Sequence, residues 1–571
     1  MNKDDLIVRF AGEGGQGVVT SAEGLAQAAT QTGYNAQTFA TFPSQILGGP
    51  TWTQTRISVN PVLSSGDELD VLVCFNEQAY LNHSESLGAD GVIVYNSAEL
   101  ELADHDNAIG INFDELAKST GNARAANMVV IGALAELVAM KQDILDDFVT
   151  RKFTRGRPND KEIIESNIKA MGLGRTEVKQ RGVSIGQLNP SKRPDYDQVL
   201  MNGNVAICLG AMHAGVDFYA GYPISPATSI LVWMEKNLPA PNKFVHQVSS
   251  EIEAITALVG AGFAGKKPMT ATAGPGFSLM SEGLGLGWMA EIPLVVVDVQ
   301  RGGPATGLPT KTEQSDLMST MFPAHGDIRL PVIAPGSVEE CFHGAVAAVN
   351  WAERYQGPVI LLSEMALSER NQNLRKPDLS KVPVENRDVN QNTNGYQRYD
   401  HSDVSPMPIP GGPGSYVANG SEHDGIGDTT HLAERHVQMT HRRWNKIKVL
   451  EDGDFEVDSI DSPIALVPWG GTKGPTREAY NKLIESGADI AWVYTMFLNP
   501  LPPQMLETLR QKELVLVPEL NYQGQFSMIL RSLGVNAISI TQYTGLPFKV
   551  KDLVERVNQQ IESYKQGHKK V

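Results

Sequence analysis

The sequence contains few cysteines, and this scarcity excludes several kinds of site. Its 571 residues include three, Cys74, Cys208 and Cys341, which lie far apart in the chain. That spacing excludes a disulfide scaffold, a Cys-x-x-Cys zinc site and a four-thiolate iron–sulfur cluster held by this chain alone. We expect the three thiols to be buried as small hydrophobic side chains.

The chain also lacks a long apolar run and an excess of basic residues. It has no stretch of about 18 apolar residues, the length that suggests a membrane span. Its first residues are charged and then strand-like, without the apolar segment of a signal peptide. We therefore expect a cytoplasmic protein that does not associate with membranes. The formal net charge of −17 and the pI near 5.2 argue against nucleic-acid binding, which needs a basic face.

What the sequence does contain is the pattern of several α/β domains. Strand-like runs alternate with helical ones in residues 1–180, 201–371 and 456–571, which predicts mostly parallel sheets. Residues 181–200 have weak periodicity and are predicted to be a linker. Residues 372–455 are rich in Asn, Asp, Gly, Pro and His, so we expect a long extended connection that lies over a neighbouring part of the chain.

A glycine-rich turn, Gly12–Gly17, follows a predicted strand at Asp5–Phe10 and precedes a predicted helix at Val18–Ala28. The pattern G-x-G-x-x-G in this setting lets the backbone approach a phosphate. However, the acidic residue that would hold a ribose at the end of the next strand is absent. Close packing, or a different phosphate ligand, is therefore favoured over a dinucleotide site.

Three loops rich in glycine and proline mark the segment 218–316 as the centre of the chain. Each follows a predicted strand, and their residues are Gly221–Pro226, Ala273–Ser278 and Arg301–Lys311. Loops at the carboxyl ends of parallel strands are where α/β proteins place ligand sites. We therefore expect a ligand to bind at this edge of the sheet.

Two charged residues in this segment are candidates for chemistry. Ser250-x-x-Glu253 predicts a capping box, which places Glu251 at the first helical position with its carboxylate facing outward. It could hold a proton against a ring nitrogen, or it could simply be favoured by the helix dipole. Arg301 follows the apolar strand Pro293–Val299 and could bind a carboxylate through two nitrogens, or form a salt bridge at a domain edge.

These motifs together resemble a known family. The sequences that carry the resemblance are Tyr222-Pro-Ile-Ser-Pro226, the helix that begins at Glu251, Thr270-Ala-Thr-Ala-Gly-Pro-Gly-Phe-Ser-Leu-Met280, Arg301-Gly-Gly-Pro-Ala-Thr-Gly-Leu-Pro-Thr310 and Gly14-Gly-Gln-Gly17. The first four resemble the α subunit of the 2-oxoacid:ferredoxin oxidoreductases, and the 2-oxoglutarate branch above all. The last belongs to residues 1–180, which resemble the family's γ module. The chain is thus similar to a γ-α fusion over nearly its whole length.

The resemblance implies an α/β multidomain fold, in which a γ module precedes a pyrimidine-type thiamine diphosphate domain and a domain like the C-terminal domain of transketolase. It also implies an enzyme that uses thiamine diphosphate to decarboxylate a 2-oxoacid oxidatively. The acyl group would pass to coenzyme A, and electrons would pass through an iron–sulfur cluster to ferredoxin.

The resemblance assigns six residues to the site: Tyr222, Pro223, Ser225, Glu251, Arg301 and Thr306. Glu251 would bond the aminopyrimidine ring of the cofactor, which Tyr222 and Pro223 would help to position. Arg301 would bind the substrate carboxylate, Ser225 would contact both the cofactor and the substrate, and Thr306 would also bind the substrate. Ser225 stands where the family commonly has threonine, so the hydroxyl is kept.

One motif of thiamine enzymes is missing, because no Gly-Asp-Gly occurs in the sequence. The resemblance therefore implies a β subunit that supplies the diphosphate half of the site, the magnesium ligands and the 4Fe-4S cluster, within a dimer of αβ pairs. No metal is assigned to this chain. A pyruvate or branched-chain enzyme of the same family, a non-redox thiamine diphosphate transferase and a nucleotide-binding regulatory protein remain as alternatives.

Overall fold

The computed structural model describes residues 2–43, 49–102, 107–390 and 394–568. The chain forms two compact units, Met1–Met201 with Arg370–Lys376, and Asn202–Glu369 with Pro377–Val571. Both units combine helices with sheets, which confirms the predicted α/β class. Among the described residues, no helix is both long enough and apolar enough to cross a membrane.

The strands and α-helices up to residue 201 are β1 (Asn2–Lys3), β2 (Asp5–Glu13), α1 (Val18–Gln31), β3 (Asn35–Thr41), β4 (Pro50–Ser58), β5 (Leu69–Cys74), α2 (Glu77–His83), β6 (Leu87–Asn96), β7 (Ala108–Ile111), α3 (Phe113–Ser119), α4 (Ala126–Leu137), α5 (Gln142–Phe153), α6 (Asp160–Arg181), β8 (Gln187–Leu188) and β9 (Gln198–Met201).

Those after residue 201 are α7 (Gly203–His213), β10 (Phe218–Gly221), α8 (Thr228–Asn237), β11 (Phe244–Gln247), α9 (Glu251–Phe263), β12 (Pro268–Thr272), α10 (Gly274–Leu279), α11 (Ser281–Met289), β13 (Leu294–Gln300), α12 (Leu317–Met321), β14 (Val332–Ile333), α13 (Val338–Tyr355), β15 (Pro358–Glu364), α14 (Met365–Ser368), β16 (Gln372–Arg375), α15 (Arg398–His401), α16 (Ala433–Asn445), β17 (Glu456–Asp458), β18 (Ile464–Leu466), α17 (Lys473–Glu485), β19 (Ala491–Tyr494), β20 (Phe497–Asn499), α18 (Pro503–Arg510), β21 (Leu514–Glu519), α19 (Gln525–Ser532), β22 (Ala537–Thr541) and α20 (Val550–His568).

The first unit is built on an eight-stranded mixed sheet with the order β7-β6-β5-β2-β4-β3-β16-β9. Strand β2 runs into the glycine-rich turn, and α1 begins directly after Gly17, whose φ of 89° suits glycine. This confirms the strand, turn and helix predicted at the start of the chain. The segment 181–200, predicted to be a linker, contains β8 and β9, which pair with β1 and β16. Their backbone groups add hydrogen bonds at sheet edges, so this segment is part of the unit.

The second unit contains two sheets. The larger has the order β11-β10-β12-β13-β15-β14-β20 and is parallel except for β20. The smaller, β17-β19-β18-β21-β22, is parallel except for β17. Strand β13 is buried along its whole length and lies between β12 and β15. Strands of a parallel sheet that is covered on both faces are buried in this way.

Residues 377–455 form a long connection, and a buried ionic cluster around Glu291 holds it against the rest of the second unit. Arg442 donates from Nε to Glu291 Oε1 at 2.9 Å, and Lys446 donates from Nζ to Oε2 at 2.8 Å. Arg398, which is fully buried, lies 3.8 Å from the same oxygen. Three cations therefore share one buried carboxylate, and breaking such a network by removing one partner is costly.

Candidate active site

The site lies at the carboxyl ends of three neighbouring parallel strands of the larger sheet, β10, β12 and β13. Because parallel strands end at the same edge, the loops that follow them meet there although they are distant in sequence. These loops begin at Tyr222, Ala273 and Arg301. They are the three loops that the sequence marked as a ligand site.

Arg301 and Ser225 are brought together at this edge. Arg301 Nη1 donates a hydrogen bond of 2.6 Å to the Ser225 carbonyl oxygen. The arginine is 7% exposed, and its buried Nε has no hydrogen-bond partner among the described residues. Burial lowers the pKa of the guanidinium, and the nearby Asp316 and Asp298 oppose that effect. The guanidinium is fixed in place and still has N–H groups that can donate to a carboxylate.

Glu251 is the first residue of α9, as predicted, but its carboxylate does not face outward. Ser250 Oγ accepts a hydrogen bond from the Glu253 amide at 3.3 Å, which is one half of the predicted capping box. The other half is not formed, because the Glu253 carboxylate accepts from the amide and hydroxyl of Ser249 and not from the Ser250 amide. The Glu251 side chain turns inward and is 6% exposed. The outward orientation expected from the sequence is therefore wrong.

Two glycines in the first turn of α10 pack against polar side chains, and one of them, Gly276, lies against the Glu251 carboxylate. A Cβ at Gly276 would lie 2.5 Å from Glu251 Oε1 and would also collide with the Thr272 hydroxyl. A Cβ at Gly274 would lie 2.8 Å from Asp316 Oδ2. Only residues without a side chain fit here, so the backbone of this turn approaches polar groups on both sides. No hydrogen bond or ion pair to the Glu251 carboxylate exists within the part of the chain that the structure describes.

Two acidic residues that the sequence reasoning missed, Asp298 and Asp316, interact electrostatically with Arg301. Asp298 is fully buried in β13, and neither carboxylate oxygen has a hydrogen-bond partner among the described residues. Burial raises the pKa of Asp298 well above its usual range, with Asp316 adding to this and Arg301 opposing it. The signal that could have revealed Asp298 is a single acidic residue in the apolar strand Leu294–Gln300.

The remaining predicted residues border this edge but take no part in the hydrogen bond between Arg301 and Ser225. Tyr222, 41% exposed, and Pro223 lie in the loop after β10, and Thr306 is exposed in the loop after Arg301. Within the described residues, no hydrogen bond links Thr306 or Glu251 to Arg301. The six predicted residues therefore share one sheet edge, and one hydrogen bond, from Arg301 to Ser225, connects two of them.

The loop that carries Arg301 is anchored by the smaller sheet through Gln314. Gln314 Nε2 donates to the Trp469 carbonyl at 2.8 Å, and Gln314 Oε1 accepts from the Leu520 amide at 3.0 Å. Asn521 Nδ2 donates to the Gln314 carbonyl at 3.0 Å. Since Gln314 is fully buried, these bonds fix the loop in place.

The described residues contain no group of three or more His, Cys, Asp or Glu side chains that could hold a metal ion. The side chains of Cys74, Cys208 and Cys341 are buried, as predicted. Burial raises the pKa of the Cys74 thiol to about 12, so it is not a nucleophile at neutral pH.

Two family models match the chain. Residues 209–442 match the thiamine diphosphate-binding domain of pyruvate flavodoxin/ferredoxin oxidoreductases, and residues 7–177 match a second domain of pyruvate ferredoxin/flavodoxin oxidoreductases. The second match covers most of the segment predicted to be a γ module.

Relatives of known name match over nearly the whole chain. The 2-oxoglutarate oxidoreductase subunit KorA of Mycobacterium tuberculosis is 32% identical, with 96% of this chain and 90% of the relative covered. The α subunit of 2-oxoacid:ferredoxin oxidoreductase 1 of Aeropyrum pernix is 28% identical, with 97% of each covered. Among solved structures, 2-oxoglutarate:ferredoxin oxidoreductase from Magnetococcus marinus, with 2-oxoglutarate, coenzyme A and succinyl-CoA bound, matches with a TM-score of 0.92 at 34% identity, covering 98% of this chain and 100% of that one.

Proposed function

The chain belongs to the 2-oxoacid:ferredoxin oxidoreductase family, and we propose that it is the γ-α subunit of an enzyme that decarboxylates 2-oxoglutarate oxidatively. Coenzyme A takes the succinyl group, and ferredoxin takes the electrons. The observation that carries the proposal is the buried Arg301 guanidinium, held against the Ser225 carbonyl at the sheet edge where Glu251 is also buried. A fixed cation of this kind suits the carboxylate that every 2-oxoacid presents.

The residues at the glycine turn fit the pyrimidine half of thiamine diphosphate. The Glu251 side chain is 6% exposed and its carboxylate has no hydrogen-bond partner among the described residues, and Gly276 brings backbone next to it. A ring nitrogen that exchanges a proton with this carboxylate would satisfy it. When bound, thiamine diphosphate supplies the carbon nucleophile and the electron sink that decarboxylation requires.

The protein groups have separate tasks in this scheme. Glu251 holds a proton at the pyrimidine nitrogen, and Tyr222 with Pro223 borders the cofactor. Arg301 binds the substrate carboxylate and so orients the keto carbon. Ser225 and Thr306 line the substrate side with their hydroxyls.

A partner subunit completes the enzyme in this proposal. The chain has no Gly-Asp-Gly motif and only three scattered cysteines. A β subunit therefore contributes the residues that bind the diphosphate and the magnesium ion, and it holds the 4Fe-4S cluster. Two αβ pairs form the oligomer. The first 180 residues act as the γ module.

Co-purification of the chain with its partner tests the proposal. The complex should contain iron and acid-labile sulfide, and it should reduce viologen in the presence of coenzyme A. We expect 2-oxoglutarate to be used in preference to pyruvate and branched-chain 2-oxoacids. A partner without a cysteine cluster would favour a non-redox transferase, and a preference for pyruvate would overturn the choice of substrate.

A further inference from the structure

The loop that carries Arg301 folds back on itself, and this brings Lys311 beside the start of the loop. The Gly302 amide donates to the Lys311 carbonyl at 3.0 Å, and the Lys311 amide donates to the Leu308 carbonyl at 3.1 Å. A backbone hydrogen bond of this kind holds the two Cα atoms about 6 Å apart, and consecutive Cα atoms are about 3.8 Å apart. The Cα atoms of Arg301 and Lys311 therefore lie within about 10 Å of each other.

Lys311 lies between the carboxyl edges of the two sheets of the second unit. Arg301, at one end of the loop, follows β13 of the larger sheet. At the other end, the Thr312 amide donates at 3.2 Å to the carbonyl of Gly545, in the loop after β22 of the smaller sheet. Strand β22 runs parallel to β21, whose end holds Gln314. Since ligands of α/β proteins bind at such edges, Lys311 stands at a place suited to a ligand contact.

The side chain of Lys311 packs along the backbone of Gly545. A Cβ at Gly545 would lie 2.8 Å from Lys311 Cβ, 3.2 Å from Cγ and 3.6 Å from Cδ. Gly545 also has a φ of 73°, which favours glycine. The apolar stem of the lysine therefore occupies the space that a side chain at Gly545 would need, while its charged end remains available.

The Lys311 ammonium has no hydrogen bond or ion pair in the part of the chain that the structure describes, although the residue is half-buried. Glu313, two residues further on, makes no ion pair with it among the described residues. Two other partly buried lysines of this unit, Lys266 and Lys473, each pair with an acidic side chain, at 3.3 and 2.7 Å. Burial also lowers the pKa of Lys311. A partly desolvated cation without such a partner favours an anion from outside the chain.

The proposed substrate carries two carboxylates, and Arg301 accounts for one of them. Arg301 and Lys311 are the two basic residues of the loop Arg301–Lys311. Four carbon–carbon bonds separate the carboxylate carbons of 2-oxoglutarate, which places them about 5 Å apart in an extended chain. Two long cationic side chains whose Cα atoms lie within about 10 Å of each other can reach both ends of such a molecule.

We propose that Lys311 binds the distal carboxylate of a 2-oxo dicarboxylic acid and thereby sets the preference for 2-oxoglutarate over 2-oxo monocarboxylic acids. This inference rests on the proposed function. Lys311 determines specificity and takes no part in the chemistry at the keto carbon. A hydrogen bond between two charged groups changes affinity roughly 10- to 100-fold, so this contact is strong enough to decide between the two classes of substrate.

The test removes the ammonium and compares two substrates that differ in the distal carboxylate. Lys311→Met keeps an unbranched stem that can pack against Gly545. Viologen reduction by the assembled enzyme is measured with 2-oxoglutarate and with 2-oxopentanoate, in which a methyl group replaces that carboxylate. The ratio of the two kcat/KM values should fall roughly 10- to 100-fold in Lys311→Met. Lys311→Arg should keep most of the preference, and the exposed control Lys549→Met should keep all of it.

Binding is also measured apart from turnover. Calorimetric titration of the assembled enzyme with 2-hydroxyglutarate and 2-hydroxypentanoate should give the same loss of preference in Lys311→Met. An unchanged preference in both assays would overturn the inference. A raised KM for coenzyme A with an unchanged preference would assign Lys311 to the phosphates of that molecule and would also overturn it. If Lys311→Met fails to assemble, Lys311→Gln is compared in the same two assays.

The outcomes separate this inference from the function on which it rests. An enzyme that oxidises 2-oxoglutarate with a preference independent of Lys311 overturns this inference alone. Absence of turnover with any 2-oxoacid overturns the proposed function and this inference with it.

Discussion

Replacing Glu251 by glutamine tests whether its carboxylate exchanges a proton at the glycine turn. Glutamine has nearly the same size, so it keeps the contact with Gly276, where a Cβ on the glycine would come within 2.5 Å of Glu251 Oε1. It cannot act as an acid or base. A positioned acid–base group contributes roughly 10²- to 10⁴-fold to rate, so kcat should fall about 100-fold or more, which is ~2.7 kcal/mol in activation free energy. The assay is viologen reduction by the assembled enzyme with saturating 2-oxoglutarate and coenzyme A.

A matched control lies two residues further along the same helix. Glu253 is exposed, and its carboxylate accepts hydrogen bonds from the amide and hydroxyl of Ser249, at 2.8 and 2.6 Å. Glu253→Gln removes the same charge from the same helical turn, and exposed substitutions usually change stability by no more than about 0.5 kcal/mol. Its activity should stay near that of the unmodified enzyme. Equal losses in the two variants, or a Glu251→Gln enzyme within a few-fold of the unmodified one, would refute the assigned role.

Three further substitutions test other contacts. Arg301→Lys should raise the KM for 2-oxoglutarate about tenfold or more and change kcat less, because an ammonium cannot present two parallel donors to a carboxylate; unchanged steady-state kinetics would contradict this. Gly276→Ala should cost about 1–3 kcal/mol in unfolding free energy or a comparable loss of activity, because its Cβ collides with Glu251; a fully stable and active variant would count against the close approach. Glu291→Gln should destabilise the enzyme by about 3–5 kcal/mol in denaturant unfolding, because buried cations, Lys446 among them, lose their anion. Burial alone would raise the pKa of Glu291, but Lys446 and its two neighbouring arginines hold it well below its usual range. The stability that Glu291 contributes should therefore be complete above about pH 5 and decline as pH falls below about 4, whereas Glu291→Gln should lack that component.

Regular elements with an apolar pattern could be predicted from the sequence, and those without one could not. The predicted strand Asp5–Phe10 and helix Val18–Ala28 correspond to β2 and α1. Helix α16 was missed inside a segment predicted to be extended. Three of its four buried side chains are Arg435, Arg442 and Arg443, so the face it buries is cationic and gives no hydrophobic periodicity. Its partners, such as Glu291, are distant in sequence.

In the candidate site, too, features set by neighbouring residues could be predicted, whereas features set by residues distant in sequence could not. The loops were identified from their glycine and proline content, and parallel strands explain why Ser225 and Arg301 meet although 76 residues separate them. The orientation of Glu251 could not be predicted, because a capping pattern describes one helix in isolation. The side chain turns inward into space left by Gly276, which belongs to α10, an element distant in sequence from the start of α9.

The charged side chains at this sheet edge differ in their surroundings. Arg301 is buried, which lowers the pKa of its guanidinium, and the nearby Asp316 and Asp298 oppose that effect. Asp298 is more deeply buried, and burial raises the pKa of its carboxyl well above the usual range. The Glu251 carboxylate has no hydrogen-bond partner among the described residues, so a donor that reaches it should stabilise the chain as well as react. The assembled protein with Glu251 intact should therefore gain more thermal stability from thiamine diphosphate than Glu251→Gln does, and equal gains would argue against a direct contact.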